Sequence, residues 1–142
     1  MVGVTLLHRK GYFTQEVDAD GNQHETPMEW RPQDLLEEVR ERATVRIEGR
    51  EVTIRAWVYS VRGATGHEVP VLLLDTMLPE NSEFDRTLTD FLYGGEARYR
   101  LCQEVVLGMG GAELLRRMGF GEKADFRYHM NEGHAAFLVL AL

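Results

Sequence analysis

The chain changes its periodicity near residue 80. Before that point apolar residues run together or alternate as in strands, and after it they recur at helical spacing. The run VGVTLLH (2–8) is apolar almost without interruption and is bounded by RKGYF, the pattern of a short strand buried on both faces, as in a parallel sheet. GYFTQEV and HETPMEW flank DADGNQ, where Asp20, Gly21 and Asn22 supply turn chemistry, so this segment predicts a strand, a tight turn and a return segment. In RPQDLLEEVRER, Pro32 suits a first helical turn and Leu35, Leu36 and Val39 share a face, which predicts a short amphipathic helix. TVRIEGREVTIRAWVYSV alternates, with Val45, Ile47, Val52, Ile54, Ala56, Val58 and Ser60 on one side. The intervening EGRE makes it an antiparallel hairpin. After a second turn at RGATGHE, the stretch VPVLLLDT is apolar enough to be a central strand.

Asn81 or Ser82 can then cap a helix that runs through Leu92 and is closed by Gly94-Gly95. EARYRLCQEVVLGMGGAELLRRMG is the longest helical pattern, with Leu101, Val105, Met109, Ala112 and Leu115 about four apart. Gly108, Gly110 and Gly111 interrupt it. Each costs about 1 kcal/mol against alanine in an exposed helix interior, so close packing or a kink is expected there. ADFRYHM predicts a strand and NEGHAAFLVLAL the start of a helix. The order of elements predicts one α/β domain with an antiparallel excursion. Both ends have interior character, VGVTLLH at one and FLVLAL at the other, where a free-standing domain carries polar, frayed residues. Residues 1–142 are therefore expected to be a single partial domain of a larger protein.

Composition narrows the class. Hydrophobic residues at 44% and charged residues at 27% are those of a soluble globular chain, and the short N-terminal apolar run is neither a signal peptide nor a membrane span. A formal net charge of −7 works against a nucleic-acid partner. Lys10 and Lys123 are the only lysines, which leaves two candidates for any Schiff-base chemistry. Cys102 is the only cysteine, so no internal disulfide can form and a cytoplasmic home is expected. Its aliphatic neighbours suit a packed structural thiol.

The densest chemistry lies in RYHMNEGHAAF (127–137). As a metal site, His129, Glu132 and His134 give H-x-x-E-x-H, which matches neither H-E-x-x-H nor H-x-x-E-H. As a strand-to-helix turn, Asn131, Glu132 and His134 can face a ligand at the carboxyl end of a strand. As an ordinary cap, Asn131 bonds first-turn amides and Glu132 is favoured by the helix dipole. LYGGEARYR offers a double-glycine loop beside Glu96, Arg98 and Arg100, or only a connection between helices. GMGG (108–111) lacks the preceding strand of a phosphate loop. Trp30, Trp57, Tyr12 and Tyr59 can stack on sugars or fill the core.

Four stretches in order, GVTLLHRKGYFTQEVDADGNQHE, VPVLLLDTMLPEN, LTDFLYGGEARYRLCQEVVLGMGG and YHMNEGHAAF, together resemble the bacterial and archaeal α-glucan (glycogen, starch or maltodextrin) phosphorylases. The resemblance runs over essentially the whole chain. It implies a retaining GT-B glycosyltransferase with two Rossmann-like domains and the active site between them. Such an enzyme cleaves terminal α-1,4-glucosidic bonds with orthophosphate and releases glucose 1-phosphate. It uses pyridoxal 5′-phosphate bound to a lysine of the C-terminal domain, and the parent is expected to be a homo-oligomer. The matching part is a middle portion of the N-terminal Rossmann-like domain. Lys10 and Lys123 do not match the cofactor lysine, so the chain alone is expected to carry no catalytic residue, hold no cofactor and not turn over. The family's N-[DE]-x-H turn falls on Asn131, Glu132, Gly133 and His134, and its channel-gating loop falls on Tyr93, Gly94, Gly95 and Glu96. The arginine and Gln-Glu pair beyond the loop fall on Arg100, Gln103 and Glu104. The family usually has Asp at position 96, and Glu96 keeps the charge with a longer reach. A non-catalytic sugar-binding or regulatory module that keeps only the channel wall is the alternative.

Overall fold

A four-stranded mixed sheet forms the centre of the molecule, and a separate two-stranded sheet stands beside it. The computed structural model describes residues 1–92, 94–121 and 125–142. The strands are β1 (Gly3–Leu6), β2 (Phe13–Val17), β3 (Gln23–Pro27), β4 (Glu37–Ile47), β5 (Arg50–Arg62) and β6 (Glu68–Asp75). β1 runs parallel to β6, from Gly3 opposite Val71 to Leu6 opposite Leu74, while β6, β5 and β4 are successively antiparallel. The expected central strand is β6, flanked by β1 and β5.

The β4–β5 hairpin forms where alternation placed it. Its turn needs left-handed backbone at two successive residues, Glu48 (φ 50°) and Gly49 (φ 83°), and glycine makes the second easy. Ala43, Val45 and Ile47 of β4, Val52, Ile54 and Ala56 of β5, and Leu72 and Leu74 of β6 are buried in one cluster. Each large aliphatic so buried contributes about 1.5–3 kcal/mol. Ser60, expected on the same side, is exposed, because β5 outruns its cover there.

The helix expected over RPQDLLEEVRER is not formed. A 3₁₀ turn at Pro32–Asp34 is followed by β4 from Glu37. Leu35 is 70% exposed while Val39 packs on the core, so the three residues do not share a buried helical face, and β5 is long enough to pair Glu37 with Val58 and Glu38 with Trp57. The register shifts between Glu38 and Arg42, and the Arg42 guanidinium donates to the carbonyls of Val39, Arg40 and Glu41 that the irregularity frees.

α1 (Glu83–Arg86) is shorter than the expected run to Leu92. Ser82 is the cap and accepts from Asp85 N–H. Asn81 is instead buried, its amide bridging Thr53 and the Thr76 carbonyl. The helix stops because its later carbonyls are taken by side chains: Tyr99 donates to Thr87 O, and Gln103 donates at 2.8 Å to both Leu88 O and Phe91 O. α2 (Ala97–Val105) and α3 (Gly111–Arg117) are joined by a π turn, Val106–Gly110. The glycines mark close approach as expected, since a Cβ on Gly108 would lie 2.6 Å from Leu138 N. The buried face of this segment carries Cys102, Val106, Leu114 and Leu115, while Leu101 is half exposed.

Residues 125–130 form no strand, contrary to the sequence pattern. Phe126 and Tyr128 do share a side, but they pack edge to face on each other (4.9 Å between centroids) and Phe126 lies near Phe120, with no ladder partner. A small cavity of about 130 Å³ separates them from Val2 and Val4 at the β1 end of the sheet. The C-terminal segment Gly133–Leu140 is a 3₁₀ helix rather than an α-helix, with Leu138 buried over Gly108. Asn131 does not cap it. The cap position is Glu132, whose side chain makes no capping hydrogen bond.

Candidate functional site

A cleft of about 390 Å³ opens where the end of β1, one face of α2 and the start of the C-terminal 3₁₀ helix meet. Helical spacing explains the contribution of α2: Arg100, Gln103 and Glu104 fall at i, i+3 and i+4 and so point the same way. The 131–135 turn supplies Asn131, Glu132 and His134, and β1 leads into His8. Leu6 and Leu107 form part of the apolar lining. Three distant segments of sequence are thus brought together around one space.

His134 is flanked by carboxylates. Its Nδ1 lies 3.8 Å from Glu104 Oε1 and its Nε2 lies 4.0 Å from Glu132 Oε2, both too long for hydrogen bonds and both able to admit a bridging hydroxyl. Glu132 is held at φ 61° and ψ −170°, a conformation that glycine adopts freely and a glutamate rarely does. Gln103 is buried, and both of its amide N–H donors hold the 88–91 turn, which makes it a support for the cleft wall. Arg100 is exposed at the cleft and has no ion-pair partner among the described residues.

Of the site residues named from sequence, Asn131, Glu132, His134 and Arg100 share the cleft, together with Gln103 and Glu104. Glu96 does not line it. It occupies the exposed N-cap of α2 without capping through its side chain. Tyr93 lies outside the described residues, as does Lys123. His129 lines the cleft wall, and among the described residues no group of three or more His, Cys, Asp or Glu side chains could hold a metal.

His8 is the residue that sequence reasoning missed. Its ring is half-buried, Nδ1 is buried without a hydrogen-bond partner among the described residues, and burial holds its pKa below the ordinary histidine value. The signal was present in the sequence: a histidine ending a strand that pairs in parallel stands where α/β sheets present ligand groups.

The neighbouring charges serve the scaffold. Asp75, fully buried at the end of β6, accepts from Arg9 Nη1 and Nη2 and from Arg55 Nε at 2.6 Å each, from Trp57 Nε1 at 2.9 Å and from Met77 N–H at 2.8 Å. Burial alone would raise its pKa. The Arg9 and Trp57 bonds and the Arg9 charge outweigh that and hold the carboxyl well below the ordinary aspartate range. Trp57 is therefore a core residue, while Tyr12 and Tyr59 are half exposed. Tyr12 and Trp30 line a different, open cleft with Phe91.

Fold and site define a mixed α/β scaffold with a polar, partly acidic cleft at the end of a parallel strand. No protein-family model matches the chain. It is 38% identical over 146 residues to the maltodextrin phosphorylase of Thermococcus litoralis and 40% identical over 148 residues to the glycogen phosphorylase of Mycobacterium tuberculosis, matches that cover 96% and 97% of the chain. It is 28% identical over 150 residues to the glycogen phosphorylase of Aquifex aeolicus. The chain spans 16%, 17% and 20% of the length of these three proteins. It is thus related, along nearly its whole length, to one segment of the glycogen and maltodextrin phosphorylases, the family its four stretches resemble.

Proposed function

We propose that the chain acts as part of the carbohydrate channel of an α-glucan phosphorylase, a cytoplasmic GT-B glycosyltransferase that releases glucose 1-phosphate from α-1,4-glucan and orthophosphate. The observation that carries this is the gathering of Arg100, Glu104, Asn131, Glu132 and His134 around one cleft from two distant segments. Glu104 and Glu132 accept hydrogen bonds from sugar hydroxyls, the amide of Asn131 both donates and accepts, and His134 orients between the two carboxylates. Arg100 presents five N–H donors to hydroxyl or phosphate oxygens. The loop at 94–96 is read as a gate beside this wall. The parent enzyme is taken to be a homo-oligomer with neither nucleic acid nor membrane as partner. Among the described residues no helix is long and apolar enough to cross a membrane.

Pyridoxal 5′-phosphate does not fit the residues of this cleft. Among the described residues no lysine lines it, and Lys10 is turned to Asp90 at 2.8 Å and lies over the Phe91 ring. No proton transfer is assigned here to the cofactor, and the chain contributes positioning alone. Calorimetry of the 142-residue chain with maltotetraose tests the reading, with binding expected and His134→Ala weakening it. In the parent phosphorylase, Glu132→Ala and His134→Ala should each lower kcat/KM by about 10-fold or more, as for loss of a hydrogen bond to a charged group. Unchanged phosphorolysis kinetics would contradict the channel role.

A further inference from the structure

We propose that His8 is an additional ligand-facing residue of this cleft, a neutral imidazole that donates from Nε2–H to a hydroxyl oxygen of the bound sugar. The proposal rests on the channel reading and adds a residue that neither spacing nor resemblance assigned. Its placement follows from β1. Leu7 N–H donates to Leu74 O at 2.7 Å, which carries the parallel β1–β6 pairing one residue past Leu6, and the Leu7 side chain is fully buried. His8 is therefore anchored from its preceding residue, at the carboxyl end of the strand, with its side chain in the cleft wall.

The tautomer follows from what surrounds the ring. Nδ1 is buried and has no hydrogen-bond partner among the described residues. A proton on Nδ1 would be an orphaned buried donor, in either the Nδ1–H tautomer or the cation, whereas a proton on Nε2 leaves only a lone pair at Nδ1. Burial disfavours the cation in the same direction. The charged and titratable groups lining the cleft are Arg100 and Glu104 from α2, and His129, Glu132 and His134 from the C-terminal segment. His134 and His8 stand in unlike settings in this cleft, His134 between carboxylates and His8 half-buried with only Nε2 to offer. A polyhydroxyl ligand needs both kinds of partner: carboxylates that accept its O–H groups, and a fixed neutral donor for its oxygens that competes with neither carboxylate for charge.

Histidine side-chain ¹⁵N correlation spectra of the labelled chain, recorded between about pH 5.5 and pH 7.5 with and without maltotetraose, test this directly. His8 should be the Nε2–H tautomer at the upper end, should stay neutral to lower pH than an ordinary histidine, and should shift at Nε2 when the sugar is added. By calorimetry, His8→Phe should weaken maltotetraose binding about 3- to 10-fold, the worth of one neutral hydrogen bond, and His8→Gln, which keeps a donor, should weaken it less. An Nδ1–H or cationic His8 near neutral pH overturns the proposal, as does unchanged affinity in His8→Phe while the wild-type chain binds. Absence of maltotetraose binding by the wild-type chain overturns the channel reading instead, and the sugar role of His8 with it. Circular dichroism verifies folding of both variants, and if His8→Phe does not fold, the wild-type spectra and His8→Gln decide.

Discussion

Replacing Gly108 by alanine should loosen the C-terminal helix from the π turn and so move His134 away from Glu104. The added Cβ would lie 2.6 Å from Leu138 N and 2.8 Å from Phe137 C, both backbone atoms that cannot rotate away. Alanine is favoured over glycine in a helix by about 1 kcal/mol. Against that, overpacking of this kind typically costs 1–3 kcal/mol. Leu138, now 9% exposed, would also lose part of the roughly 1.5–3 kcal/mol that its burial supplies. The clash and the lost burial win, for a net destabilisation of about 1–3 kcal/mol, or a fall in Tm of roughly 3–10 °C for a chain of this size. Urea and thermal unfolding followed by far-UV circular dichroism measure it. Gly133→Ala is the control, because its Cβ would meet nothing and its φ is ordinary, so stability should stay within about 0.5 kcal/mol. A Gly108→Ala chain as stable as the wild type, or a Gly133→Ala chain equally damaged, would refute the packing argument.

Three further outcomes follow from the same contacts. Asp75→Asn should destabilise the chain by about 3–5 kcal/mol at neutral pH, because Arg9 and Arg55 lose their shared carboxylate. Since the folded pKa of Asp75 is depressed, its contribution is present above the unfolded value of about 3.9 and is lost as pH falls below it. The variant should therefore show a flatter acid limb in stability against pH, and an unchanged limb would contradict the assignment. Asn81→Ala strands the buried Thr53 N–H and Thr76 carbonyl and should cost about 2–4 kcal/mol by urea unfolding. Cys102, 1% exposed, should react with thiol reagents only on unfolding, so rapid labelling of the native chain would contradict its burial.

The β4–β5 hairpin was legible because period-two alternation and a Glu-Gly turn are local signals that the sheet did not override. The glycines of GMGG were legible as close contacts because nothing else explains three of them inside a helical pattern. RPQDLLEEVRER was misread because Leu35, Leu36 and Val39 suit a helix equally well, and only the length of β5 decides that residues from Glu37 onward pair as a strand. Residues 125–130 kept their alternation without a ladder, since two aromatic rings packing on one side imitate a strand face. The turn at 131–134 stood out by composition, but its meeting with Arg100 and Glu104 depends on the C-terminal helix packing against Gly108 in the π turn that follows α2. His8 had no neighbour in sequence to mark it.

The channel claim is tested most directly by amide chemical-shift mapping of the ¹⁵N-labelled chain titrated with maltotetraose. Shifts should cluster at Arg100, Gln103, Glu104 and residues 131–135 and spare the β2–β3 hairpin. Shifts confined to the open cleft of Tyr12, Trp30 and Phe91, or no shift at saturating sugar, would contradict it.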